Sequence, residues 1–167
     1  CAALADCLAR EHGKAVALIC MEQLDEPLAR KVQQQMAHTD RARVFSAREY
    51  NASQMTTLLR SLDLLMTSRY HACVLSLAAQ VPQVAVGHDL RLRTIYDELG
   101  FTHQFFVEPQ TPDLRAALKA RAEMLLSHPA LEKESLRRGY EKHLTKARGN
   151  RALLRAFAQD HGWEVAA

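Results

Sequence analysis

The 167-residue sequence contains no G-x-G-x-x-G and no G-x-x-x-x-G-K-[ST]. Neither a dinucleotide fingerprint nor a phosphate-cradling P-loop is therefore written in it. It has no C-x-x-C pair either. Its four cysteines, Cys1, Cys7, Cys20 and Cys73, are scattered, and no histidines cluster at metal-ligand spacing. Cys7, Cys20 and Cys73 sit among apolar residues and are expected to be small core residues, which suits a reducing compartment. Long hydrophobic runs are missing. The stretch from Tyr70 to Gly87 lacks Lys, Arg, Asp and Glu, but His71, Ser76, Gln80, Pro82 and Gln83 make it a poor membrane span. No signal peptide, internal repeat or low-complexity tract is visible. The formal net charge of +3 is too small to argue for a nucleic-acid partner. It is also local, because residues 131–155 carry +5 and the remainder −2.

What is present fits a soluble globular chain, 48% hydrophobic and 25% charged. The length suits one domain with a core of its own. The sequence opens inside a helical pattern, with Leu4 and Leu8 four residues apart, so a longer chain is expected upstream. Helices are expected over 2–12, closed by Gly13, and over 25–37 with Pro27 in the first turn. Further helices are expected from Asn51 or Ser53 to Ser61, over 70–80, over 92–99 closed by Gly100, and from Thr111 or Asp113 to about Ser127. The segments 15–20, 42–47, 63–68, 83–87 and 103–107 read as short, buried strands. Two more helices, about 130–147 and 150–160, are expected to break near Gly149-Asn150 and to form a C-terminal helical extension over 130–167. Strands alternating with helices predict an α/β, Rossmann-like three-layer domain over 1–167, with a parallel sheet of about five strands.

In such sheets ligands bind beyond the carboxyl ends of the strands. Arg69 and His71 stand at the end of strand 63–68, where the next helix starts. His88, Asp89, Arg91 and Arg93 stand at the end of strand 83–87. If those strands are neighbours, both groups face one crevice. Helix N-termini and arginine forks both favour carboxylate or phosphate, and histidine moves protons near neutral pH. The residues therefore describe an anion site with proton-transfer capacity, without fixing the reaction. Taken singly, His71 also suits a helix cap, Arg69 a surface ion pair, and His88 and Asp89 a turn. The basic stretch 131–155 reads as solvated helix faces. Docking on a missing domain or on an anionic membrane surface is the alternative, and Trp163 reads as a packing anchor.

The segment "SRYHACVLSLAAQVPQVAVGHDLRLRTIYDELG" (68–100) resembles the signature of the polysaccharide pyruvyl transferase family. Arg69-Tyr70-His71 matches its arginine–hydrophobic–histidine element, Val81-Pro82 its turn, and His88-Asp89-Leu90-Arg91 its Tyr-Asp-Pro-Lys-like segment. The likeness extends over roughly residues 14–107. It implies the C-terminal half of a GT-B-like enzyme, whose missing N-terminal domain closes the active-site cleft. The implied reaction moves a pyruvyl group from phosphoenolpyruvate to a sugar of a bacterial cell-surface polysaccharide, free or lipid-linked, and releases phosphate. No metal or organic cofactor is required by that chemistry. The implied setting is cytoplasmic, at the inner face of the membrane, with peripheral membrane contact and no nucleic acid. On this likeness Arg69 holds the carboxylate or phosphate of the donor, and His71 protonates the enol carbon or bonds the phosphate. Arg91 stands in place of the family's lysine as a second anion contact, with His88 and Asp89 beside it. His88 replaces the family's tyrosine and Leu90 its proline. Two other readings stay open: a GT-B nucleotide-sugar glycosyltransferase, with Asp89 or Glu98 holding a ribose, and a non-catalytic binding module of the same fold.

Overall fold

The computed structural model describes residues 1–163. Helix α1 (Ala2–His12) ends in Gly13, whose φ of 63° lies in the left-handed region that glycine adopts without strain. Strand β1 (Val16–Cys20) follows, then α2 (Glu26–Gln34), with Pro27 in its first turn, and β2 (Ala42–Ser46). Helix α3 (Ala52–Arg60) is opened by Asn51, whose side chain accepts from the Gln54 amide while the Gln54 side chain accepts from the Asn51 amide. Strand β3 (Leu65–Thr67), α4 (Tyr70–Ser76), β4 (Gln83–Val86) and α5 (Leu90–Leu99) come next. A 3₁₀ turn at Leu77–Ala79 completes the expected helix 70–80.

Three expectations need correction. The segment 103–107 is mostly helix: α6 (Thr102–Phe105) leaves only the two-residue β5 (Phe106–Val107). Phe101 and Phe105 sit four residues apart and meet edge to face, 5.7 Å between centroids, and Phe101 meets buried Tyr96 in the same way, so helical spacing outcompetes the β-propensity of the aromatics. After α7 (Leu114–Ser127), capped by Asp113, the last two helices are one: α8 runs unbroken from Lys133 to Asp160. Gly149 costs about 1 kcal/mol in a helix interior, and the alanines, leucines and arginines around it outweigh that. The third correction concerns the sheet. β1 pairs in parallel with β2, and β3, β4 and β5 form a separate parallel ladder, so there are two small sheets rather than one of five strands.

Helix α1 shares a side of the molecule with α7, where Lys119 meets Glu11 at 2.9 Å. Helix α3 packs on α4 and α4 on α5, and α8 lies against α5. The main core gathers Leu77, Val84, Leu92, Tyr96, Phe105 and Leu136, with Cys73 buried among them. Cys20 is buried too, Cys7 is half-buried, and no disulfide forms. Gly139 lets α8 approach α5, since a Cβ there would stand 2.2 Å from Leu99 Cδ2. Trp163 is exposed, with ring centroids 5.8 Å from Phe157 and 5.6 Å from His161. No helix among the described residues is long and apolar enough to cross a membrane.

Candidate functional site

β3 and β4 are hydrogen-bonded neighbours, Leu65 opposite Gln83 and Thr67 opposite Ala85. Their carboxyl ends therefore open side by side. The turn after β3 is tied by buried Thr67, whose Oγ1 accepts from the Arg69 amide at 2.9 Å. That bond fixes Arg69 in extended backbone (φ −108°, ψ 120°) just before α4. The turn after β4 passes Gly87 and His88 to Asp89, whose side chain caps α5 by accepting from the Arg91 amide at 2.9 Å.

The two turns touch through an aromatic ring. The Arg91 guanidinium lies over the Tyr70 ring, 5.4 Å from its centroid, and Tyr70 meets the His71 ring edge-on at 5.6 Å. Arg91, Tyr70 and His71 are thus in contact, and Arg69 immediately precedes Tyr70 in the chain. His71 and His88 are exposed and make no side-chain hydrogen bond among the described residues. Both are free to meet a ligand.

Each arginine here already has a carboxylate. Arg69 bonds Glu22 at 3.2 Å and Asp25 more closely, both from the turn after β1. Those partners hold its guanidinium pKa above the ordinary value, the Asp25 hydrogen bond chief among the causes. Arg91 pairs with Asp89 at 2.8 Å, and the same hydrogen bond lowers the Asp89 pKa. Arg93 pairs with Glu108, beyond β5, and lies over the Phe106 ring. The expected anion site is therefore a set of half-exposed, ion-paired arginines. Such exposed pairs are worth little each, so a polyvalent anion can exchange for a carboxylate. Glu22 and Asp25 had no signal in the sequence as site residues, because their turn is far from both motifs in the chain.

The other carboxylate considered for a ribose lies elsewhere. Glu98 bonds Lys146 at 3.1 Å and also faces His143 of α8. One group of metal-ligating types, Glu11, His12 and Glu123, lies together among the described residues. The Lys119 ammonium contacts both of its carboxylates, at 2.9 and 3.4 Å. Away from the edge, Glu132 is fully buried and accepts from the Gln83 amide at 2.7 Å. Burial pushes its pKa up to about 8, against a smaller opposing effect of that hydrogen bond.

The family model described as polysaccharide pyruvyl transferase matches residues 9–89. No curated protein and no solved structure gives a significant match. The matched stretch takes in Arg69, His71, His88 and Asp89 and stops just short of Arg91. It also takes in Glu22 and Asp25, the carboxylates that hold Arg69. Over residues 9–89, just under half of its length, this chain is similar to the polysaccharide pyruvyl transferases, a family of transferases.

Proposed function

We propose that the chain binds phosphoenolpyruvate at the joined ends of β3 and β4, and serves as the donor-binding half of a pyruvyl transferase acting on a sugar. The observation that carries this reading is the contact between the two turns: Arg91 lies on Tyr70, the residue between Arg69 and His71. It makes one surface of the two motif segments, with two arginine forks and two free imidazoles.

Arg69 takes the donor's carboxylate or phosphate, with its guanidinium fork matched to either. Arg91 takes the second anionic group. The ligand enters by displacing a carboxylate, and Glu22, the more exposed partner of Arg69, is the one that yields. His71, as imidazolium, gives a proton to C3 of the enol. A first sugar hydroxyl adds to C2 and releases its proton to a base. The C2–O bond to phosphate then breaks, and a second hydroxyl closes the ketal, its proton leaving with the phosphate. His88 and Asp89 line the entrance, Asp89 by keeping Arg91 in place. An N-terminal domain and a glycan or lipid-linked acceptor complete the cleft in this reading, at the cytoplasmic face of a membrane.

Calorimetric titration with phosphoenolpyruvate tests the assignment. Arg69→Ala should weaken binding roughly tenfold to a hundredfold, the cost of a lost charged hydrogen bond. Unchanged affinity removes Arg69 from the site. Heat from UDP or CMP in place of phosphoenolpyruvate would instead favour the nucleotide-sugar reading.

A further inference from the structure

A second pocket lies where β1 and β3 begin, at the opposite strand ends from Arg69 and His71. We propose that it binds a phosphate monoester of a small organic molecule, through Arg60, Lys133 and Lys14. The inference is independent of the transferase reading.

The topology gathers these cations from separate elements. Lys14 stands just before β1 and Asp63 just before β3, while Val81 and Pro82 lead into β4. Arg60 is the last residue of α3, and Lys133 is the first of α8. All of them line one cavity of about 370 Å³. Cavities of that size hold small organic ligands. Asp63 is the one carboxylate among the lining residues, and Lys14 takes it at 2.7 Å. Arg60 spends only its Nε, on the Leu75 carbonyl at 3.0 Å, and both terminal nitrogens of its fork are left over. Lys133 has no ion-pair partner among the described residues. Three cations against one carboxylate give the lining a net charge of +2. The strand-end site is built the other way. There each arginine is held by an acid that a ligand must displace. Here an anion meets open cations and displaces nothing.

Helix α8 adds to the same field. It is 28 residues long and starts at the pocket with Lys133, so its positive end lies there. Glu132 stands in the capping position but gives no side-chain cap, because its carboxylate is buried and accepts from the Gln83 amide. The Glu134 and Ser135 amides have no hydrogen-bond partner among the described residues. Helix starts left open in this way accept phosphate oxygens.

Two features select the ligand class. A phosphate monoester carries close to two negative charges at neutral pH, which matches the surplus on the lining, whereas a simple carboxylate supplies one. The Arg60 fork suits two phosphate oxygens at once, and Lys133 acts as a point charge. The remaining wall is apolar, with Leu62, Val81, Pro82, Leu125 and Leu126. That wall gives a bare ion nothing, and it suits the carbon body of an ester.

Chemical-shift titration of the 167-residue chain with glycerol phosphate tests this, with inorganic phosphate, glycerol and sodium chloride as controls. Saturable shifts are expected in residues 60–63, 79–82 and 130–134, and they should persist in Arg69→Ala. Arg60→Gln and Lys133→Gln should each weaken binding roughly tenfold or more, the loss of one charged hydrogen bond. Lys133 is exposed, so its variant reads the site even where Arg60→Gln disturbs the bond to Leu75. Affinity should fall as pH drops below about 6, where the ester takes up its second proton. The thermal midpoint should rise with ligand concentration, as for any ligand of the folded state alone. Shifts that never saturate, or that sodium chloride reproduces at equal ionic strength, would overturn the proposal. So would full affinity in Lys133→Gln, or loss of every shift in Arg69→Ala, which would put the ester at the strand-end site. Equal affinity for inorganic phosphate would overturn the assignment of an ester.

Discussion

The two ends of β4 differ in kind. At its carboxyl end the charges are exposed and exchangeable: Arg91 with Asp89, Arg69 with Glu22 and Asp25, and His71 and His88 open to solvent. At its amino end they are sealed in. Gln83 and Glu132 are fully buried, and the Gln83 amide donates to Glu132. Tyr96, also fully buried, reaches Gln83 Oε1 at 3.4 Å. Gln83 Nε2 and Glu132 Oε1 have no partner there. One end can trade a carboxylate for a ligand at small cost. The other can gain nothing from solution, and its chemistry is spent on stability. In the proposed reading, function belongs to the exposed end and pH-dependent stability to the buried one.

Mutations should separate these ends. On the proposed transferase reading the largest effect is expected from His71→Gln, a loss of roughly 10²–10⁴ in turnover with donor affinity much less changed. Equal losses in turnover and affinity would make His71 a binding residue. At the buried end the expected effect is on stability alone. The Glu132 pKa rises from its ordinary value of 4.5 to about 8, so between those values the folded state holds a proton that the unfolded state has lost. Stability is then fullest below about pH 4.5 and falls as pH rises toward about 8, by up to about 1.4 kcal/mol per pH unit. Denaturant melts of Glu132→Gln should show that slope flattened, and an unchanged slope would assign the pH dependence elsewhere. Gly139→Ala should cost roughly 1–3 kcal/mol, because its Cβ would drive into Leu99 and force α8 off α5. A melt identical to that of the parent protein would mean that Leu99 moves aside freely. The smallest change is expected from Glu22→Gln. With the competing carboxylate gone, phosphoenolpyruvate should bind a few-fold more tightly, while weaker binding would make Glu22 a support for Arg69 rather than a competitor.

Local signals carried most of the element assignment. Gly100 closes its helix as the sequence predicts, and Asn51 and Asp113 are each one of the two caps it offers, because capping depends on neighbours in the chain. Pairing does not, and the split between β1 and β3 left no trace in composition or period. The same holds for α6, where one aromatic spacing decided between helix and strand, and for α8, where a single glycine was read as a break. At the site, the sequence placed both motifs on strand ends, and the β3–β4 pairing brought them together. It did not reveal that every arginine there is already matched by an acid. Glu22 and Asp25 lie 47 and 44 residues from Arg69, and no local pattern connects them.

The central claim is that one anion touches both turns at once. Chemical-shift mapping of this chain with phosphoenolpyruvate tests it most directly. The account predicts saturable shifts in residues 68–71 and 87–91 that titrate with one affinity and are lost together in Arg69→Ala. Shifts confined to one turn, or two sets with different affinities, would contradict it.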